Sequence, residues 1–123
     1  MLKNCRELVA WQRAYELCPL VYRLTGKFPS AERFGLTAQM RRSAISVPSN
    51  IAEGYGRRTM AEYLQLLHVA DGSLCELDTQ LRLAVDLEIA GSVVAEPAAT
   101  AIGDGERLLE ALIASLKQKA FVT

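Results

Sequence analysis

Gln39-Met40-Arg41-Arg42-Ser43-Ala44-Ile45-Ser46-Val47-Pro48-Ser49-Asn50-Ile51-Ala52-Glu53-Gly54 is the stretch that decides the fold. With Leu36 ahead of it, Met40, Ser43, Val47 and Ile51 recur at steps of three and four, the spacing of one helix face. On a wheel of about 100° per residue, Gln39, Arg42, Ser46, Ser49, Asn50, Glu53 and Arg57 share a second face. Ser and Asn are mediocre helix formers because they compete for backbone hydrogen bonds. A freely solvated face would carry Glu, Lys or Ala instead, so the small polar stripe points to a surface that another surface approaches closely. Glu53 and Arg57 are four apart and able to pair. Pro48 removes the donor for the Ala44 carbonyl, and an interior proline costs about 3 kcal/mol relative to alanine. Two solutions are open: a kinked but continuous helix, which is the expectation, or a break and restart with Asn50 and Glu53 as a second capping box. Either marks a buried contact or a site.

Working outward, the chain reads as four helices joined by short turns, an all-α up-and-down four-helix bundle in one domain over residues 1–123. The first helix is expected from Asn4, which has capping-box spacing to Glu7. Its inward stripe is Ala10, Ala14, Leu17, Val21 and Leu24, with a second stripe of Trp11, Tyr15, Cys18 and Tyr22. Pro19 lies inside this helix, and Gly26 and Pro29 end it. The second helix is expected from Phe34 to Gly54. The third starts at a Thr59/Glu62 capping box and keeps a strict heptad through Met60, Tyr63, Leu67, Ala70, Leu74, Leu77, Leu81 and Ala84. Gly91 ends the following connection. In the fourth, Pro97 suits a first-turn position, Ile102, Leu109, Leu112 and Leu116 continue the seam, and Gly103 and Gly105 predict ordered helix only from about Asp104.

Half of the residues are hydrophobic and the net charge is zero. The charge is nevertheless split: residues 1–60 carry ten basic and four acidic side chains, a net of +6, and residues 61–123 carry four and ten, a net of −6. Such a dipole either steers a polyanion or pairs helices of opposite charge, within the chain or between copies, and overall neutrality favours pairing. Cys5, Cys18 and Cys75 form no CxxC pair and read as reduced thiols packed as small hydrophobes. No apolar run spans a bilayer, and Met1, Lys3, Arg6 and Glu7 do not resemble a signal region, so a cytoplasmic protein without membrane contact is expected.

Catalytic chemistry is not legible. His68 is the only histidine and is preceded by Gln65, not by the Glu of a Glu-x-x-His metal motif. Gly54-Tyr55-Gly56 is a helix terminator, not a phosphate loop. Glu76 and Asp78 point apart on their helix. No cofactor or metal is expected, and enzymatic activity is not.

Several residues together resemble a known family: Trp11 and Gln12; Phe28-Pro29; Phe34 to Thr37; Gln39 to Arg42; Ser46 to Gly54; Gly56-Arg57; Glu62-Tyr63; Gly72 to Leu74; and Glu76-Leu77. These look like the bundle proteins encoded by intervening sequences in bacterial 23S ribosomal RNA genes, the S23 ribosomal protein family. The similarity covers about residues 5–118. The resemblance implies a left-handed up-and-down bundle and a ring-shaped homo-oligomer, typically a pentamer, with no established enzyme activity. A related, strongly basic branch binds RNA and a reverse transcriptase. This chain departs from that branch, being neutral and carrying Asp71 before Gly72 and Ser73, where relatives often have Arg.

Two functions are therefore carried forward. In the first, the chain is a self-assembling scaffold or accessory protein, in which the stripe of Gln39, Arg42, Ser46, Pro48, Asn50, Glu53 and Arg57 organises helix two against a neighbouring helix or subunit. In the second, it binds RNA or DNA through a basic edge of Arg41, Arg42, Arg57 and Arg58, with Tyr55 available for stacking.

Overall fold

The computed structural model describes residues 4–122. The chain start at Met1 and Lys3, read above for a leader, lies outside the described residues. Four helices follow in order: α1 (Val9–Thr25), α2 (Leu36–Tyr55), α3 (Met60–Asp86) and α4 (Ser92–Val122), with single 3-10 turns at Cys5–Glu7 and Ser30–Glu32. Each packs on its neighbours in sequence and α4 closes back on α1, which is the up-and-down four-helix bundle.

Most of the predicted stripe residues are in the core, though Leu36, Tyr63, Leu112 and Leu116 are only partly buried and Ile113, not predicted, is buried beside them. Ala10, Ala14, Leu17, Val21 and Leu24 of α1 meet Met40, Val47 and Ile51 of α2, and six heptad positions of α3 from Leu67 to Ala84 are buried. Met60, at the end of the heptad, is 37% exposed. α2 and α3 approach closely at Gly54, where an added Cβ would stand 3.1 Å from both Leu66 Cβ and Tyr63 Cδ1. Only glycine admits that approach without displacement.

The termini depart from the expected pattern. Asn4 does cap, but it accepts from the Arg6 N–H of the 3-10 turn, and α1 begins only at Val9. Phe34 is outside α2 and 89% exposed; the helix starts at Leu36, whose N–H bonds the Glu32 carboxylate. A carboxylate is favourable at that positive helix end. The Thr59 hydroxyl caps α3 through the Glu62 N–H as expected.

The reading of the fourth helix is corrected more substantially. α4 is continuous from Ser92, Pro97 is its sixth residue, and helix does not wait for Asp104. Pro97 is exposed and close to the helix start. Ala95 and Ala98 are buried and tie this segment to the core. Gly105 occupies a seam position, where an added Cβ would touch both Leu74 methyls at 3.6 Å. Packing against Leu74 outweighs the helix cost of the glycine, about 1 kcal/mol.

The α3–α4 connection ends at Gly91 as expected, directly before Ser92 of α4. Glu88, not a glycine, takes the left-handed backbone position, with φ 61°. Ile89 N–H bonds the Ala84 carbonyl at 2.8 Å and Glu88 N–H bonds that of Val85 at 3.0 Å. These two bonds make a Schellman cap, which holds a conformation costing about 1–2 kcal/mol for a non-glycine residue.

α2 runs through Pro48 without a break, so the restart at Asn50 does not occur. The Ala44 carbonyl, deprived of its helical donor, faces the Cys18 thiol of α1 at 3.4 Å, the shorter of that thiol's two contacts, the other being to the Ala14 carbonyl at 3.6 Å. Replacing Cys18 by Ala should therefore destabilise the wild-type helix pair. In a Pro48→Ala background the new backbone N–H serves the same carbonyl, and the loss should be smaller. Chemical denaturation of the four-variant cycle should give a coupling of about 0.5–1 kcal/mol. Additivity would show that the thiol does not replace the missing donor.

Candidate functional site

α2 presents three working faces. One belongs to the core. The second faces α3 and is polar: Ser46 and Ser73 hydroxyls share a hydrogen bond at 2.8 Å, and Ser43 donates to Glu76 at 3.3 Å. The Asn50 amide donates to both the carbonyl and hydroxyl of Ser46, at 2.8 and 2.9 Å. Ser46 and Asn50 of the predicted stripe are thus brought together on the α3 side. Gln39, Arg42, Glu53 and Arg57 stand exposed toward the stripe's ends, and Arg57 pairs with Glu53 at 2.6 Å. Sequence reasoning missed Ser43 and Ser73 as polar partners because Ser43 lies on the core stripe and Ser73 beside the heptad.

The third face looks toward α1 and includes Pro48. Together with Trp11, Tyr15, Cys18 and Tyr22, the residues Ile45, Pro48, Ser49 and Ala52 line an open groove of about 580 Å³. Trp11 and Tyr15 stack with ring centroids 4.9 Å apart. Tyr15 is 58% and Ile45 44% exposed, so the groove is apolar surface left facing water. Burial pushes the Cys18 thiol above the ordinary thiol range. The aromatic stripe of α1 signalled this groove in the sequence; its other wall did not, because Pro48 and Ile45 gain their meaning only from the crossing of the two helices.

The four arginines of the predicted basic edge are not one patch. Arg41 turns inward over the end of α1, donating to Thr25 Oγ1 at 2.8 Å and to the Tyr22 carbonyl at 3.3 Å, and it lies 4.4 Å from the centre of the Tyr22 ring. Arg57 is held by Glu53. Arg42 and Arg58 are exposed near opposite ends of α2. Tyr55 is half-buried and meets Tyr63 edge-on at 5.9 Å. His68 is exposed on α3. No cluster of three His, Cys, Asp or Glu among the described residues is placed to hold a metal ion.

The two charged halves of the sequence become opposite sides of the bundle, α1–α2 basic and α3–α4 acidic. Four ion pairs occur among the described residues: Arg13–Glu16, Arg57–Glu53, Arg82–Asp78 and Arg107–Asp104. Each lies along one stretch of helix, and none joins the basic side to the acidic one. On the acidic side, burial and then Asp78, Asp71 and Glu110 push the Glu106 carboxyl up, against an opposing effect of Arg82.

A carboxyl raised by folding favours the native state when protonated and opposes it when ionised, so its contribution is lost as pH rises through the carboxylate range. Glu106→Gln should raise the thermal midpoint at pH 7. The advantage should vanish below about pH 4, where the wild-type carboxyl is itself neutral. A difference independent of pH would contradict this electrostatic origin.

Comparison with known proteins fits this geometry. A search of curated proteins returned no match. Among solved structures, the chain is similar to a protein of unknown function from the S23 ribosomal protein family of Bacteroides thetaiotaomicron, with a TM-score of 0.80 and 20% identity over 86% of this chain and 96% of that one. At that identity the likeness is one of fold. The family model of the 23S rRNA-intervening sequence proteins matches residues 6–109, and the chain belongs to that family.

Proposed function

We propose that this chain is a non-enzymatic, self-assembling bundle that closes into a ring of identical copies and serves as a scaffold or accessory protein in the cytoplasm. Five copies is the number that the family resemblance implies. One observation carries the reading: the bundle leaves an apolar aromatic groove open on its basic side, while its four described ion pairs leave the basic and acidic sides unjoined. A second copy supplies what a single chain lacks, apolar cover and opposite charge. Contacts between unlike faces are heterologous and close into a ring when the rotation permits.

The alternative, RNA or DNA binding along the edge of α2, draws less support. Two of its four arginines are engaged within the chain, and the other two stand apart. Nucleic-acid binding needs phosphate contacts dense enough to make affinity fall with salt.

Light scattering on the purified chain at micromolar concentration is expected to show one closed multi-subunit species. A monomer alone would remove the assembly reading. In a gel-shift titration at two salt concentrations, no shift is expected with RNA or DNA; a salt-sensitive shift at low salt would favour the alternative.

A further inference from the structure

The groove has a counterpart elsewhere on the same molecule. At the α3–α4 turn, Leu87 is 64% and Val93 80% exposed, and Val94 beside them is 48% exposed. The turn is held in one shape by its Schellman cap, with Glu88 in the left-handed region at φ 61°. Beneath it Ala90 is buried and Ile89 half-buried, so the projecting side chains stand on a fixed base. Asp86, Glu88 and Glu96 surround them, all exposed. The turn is therefore an apolar knob with an acidic rim.

The groove on α1–α2 is the reverse: an apolar hollow between the two helices of the net basic half of the sequence. Arg23 and Lys27, which follow Tyr22 in the chain, and Arg33 are exposed on this half of the chain. Pairing two grooves face to face would set basic surface against basic surface. Pairing knob with groove sets acidic rim against basic surround and covers both apolar patches at once.

We infer that the α3–α4 turn of one copy docks into the α1–α2 groove of a second copy, with Leu87 and Val93 as the apolar anchors. The inference rests on the self-assembly reading and specifies its two surfaces. Each copy offers one knob and one groove, so the contact is head to tail and propagates until it closes.

Two paired variants test it. Leu87→Lys with Val93→Lys disables the knob, and Tyr15→Glu with Ile45→Glu disables the groove; all four positions are exposed, and circular dichroism checks that helicity is kept. Each variant is expected to move the association midpoint at least roughly 30-fold upward in concentration, the effect of losing anchor residues from an interface. Mixed at the highest soluble concentration, the two variants should form a one-to-one dimer and nothing larger, because one intact groove then meets one intact knob. A wild-type chain that is monomeric would overturn the assembly reading itself. A wild type that assembles, with either variant assembling equally well or with the mixture remaining monomeric, would overturn the knob-and-groove contact while leaving assembly standing.

Discussion

A proline inside a helix strands a carbonyl, and here the stranded carbonyl is Ala44. The Cys18 thiol reaches it from α1, and Pro48 and Pro19 both line the groove where the two helices meet. A thiol is a weak donor, so this contact adds little stability by itself. Its consequence is geometric: α2 cannot offer a fully hydrogen-bonded helical surface to α1, and the side chains that fill the gap are aromatic and aliphatic. The opposite side of α2 is free to meet α3 through small residues, with a close approach at Gly54 and the Ser46–Ser73 bond farther along.

The balance of forces follows from this arrangement. Buried leucine, isoleucine, valine and methionine contribute about 1.5–3 kcal/mol each relative to exposure. The hydroxyl contacts between α2 and α3 add about 1 kcal/mol apiece and select one register of the two helices. The exposed ion pairs are intrahelical and add at most about 0.5 kcal/mol each. The charge split is therefore not needed to hold a single chain together, and it remains available to act between chains.

Much of the fold was legible in the sequence because a bundle core writes itself as three-four spacing. The inward stripe of α1, the heptad of α3 and the core face of α2 all follow from that period. The misreadings occurred where local propensity competes with packing. Gly103 and Gly105 weaken a helix in isolation, but Leu74 fills the place over Gly105. The left-handed turn at Glu88 was not legible at all, because no glycine marks it; Ala84 and Val85 supply its capping carbonyls. Of the candidate site, the polar stripe was legible on one helix, whereas the engagement of Arg41 by α1 and the groove wall at Pro48 require two helices in place. No single-helix pattern contains them.

Native mass spectrometry of the wild-type chain across a salt series reads the head-to-tail assembly itself. Head-to-tail assembly through opposite charge and an apolar groove predicts one discrete mass of several copies at low salt, with smaller species appearing as salt screens the contact. A single-chain mass at every salt concentration would contradict it.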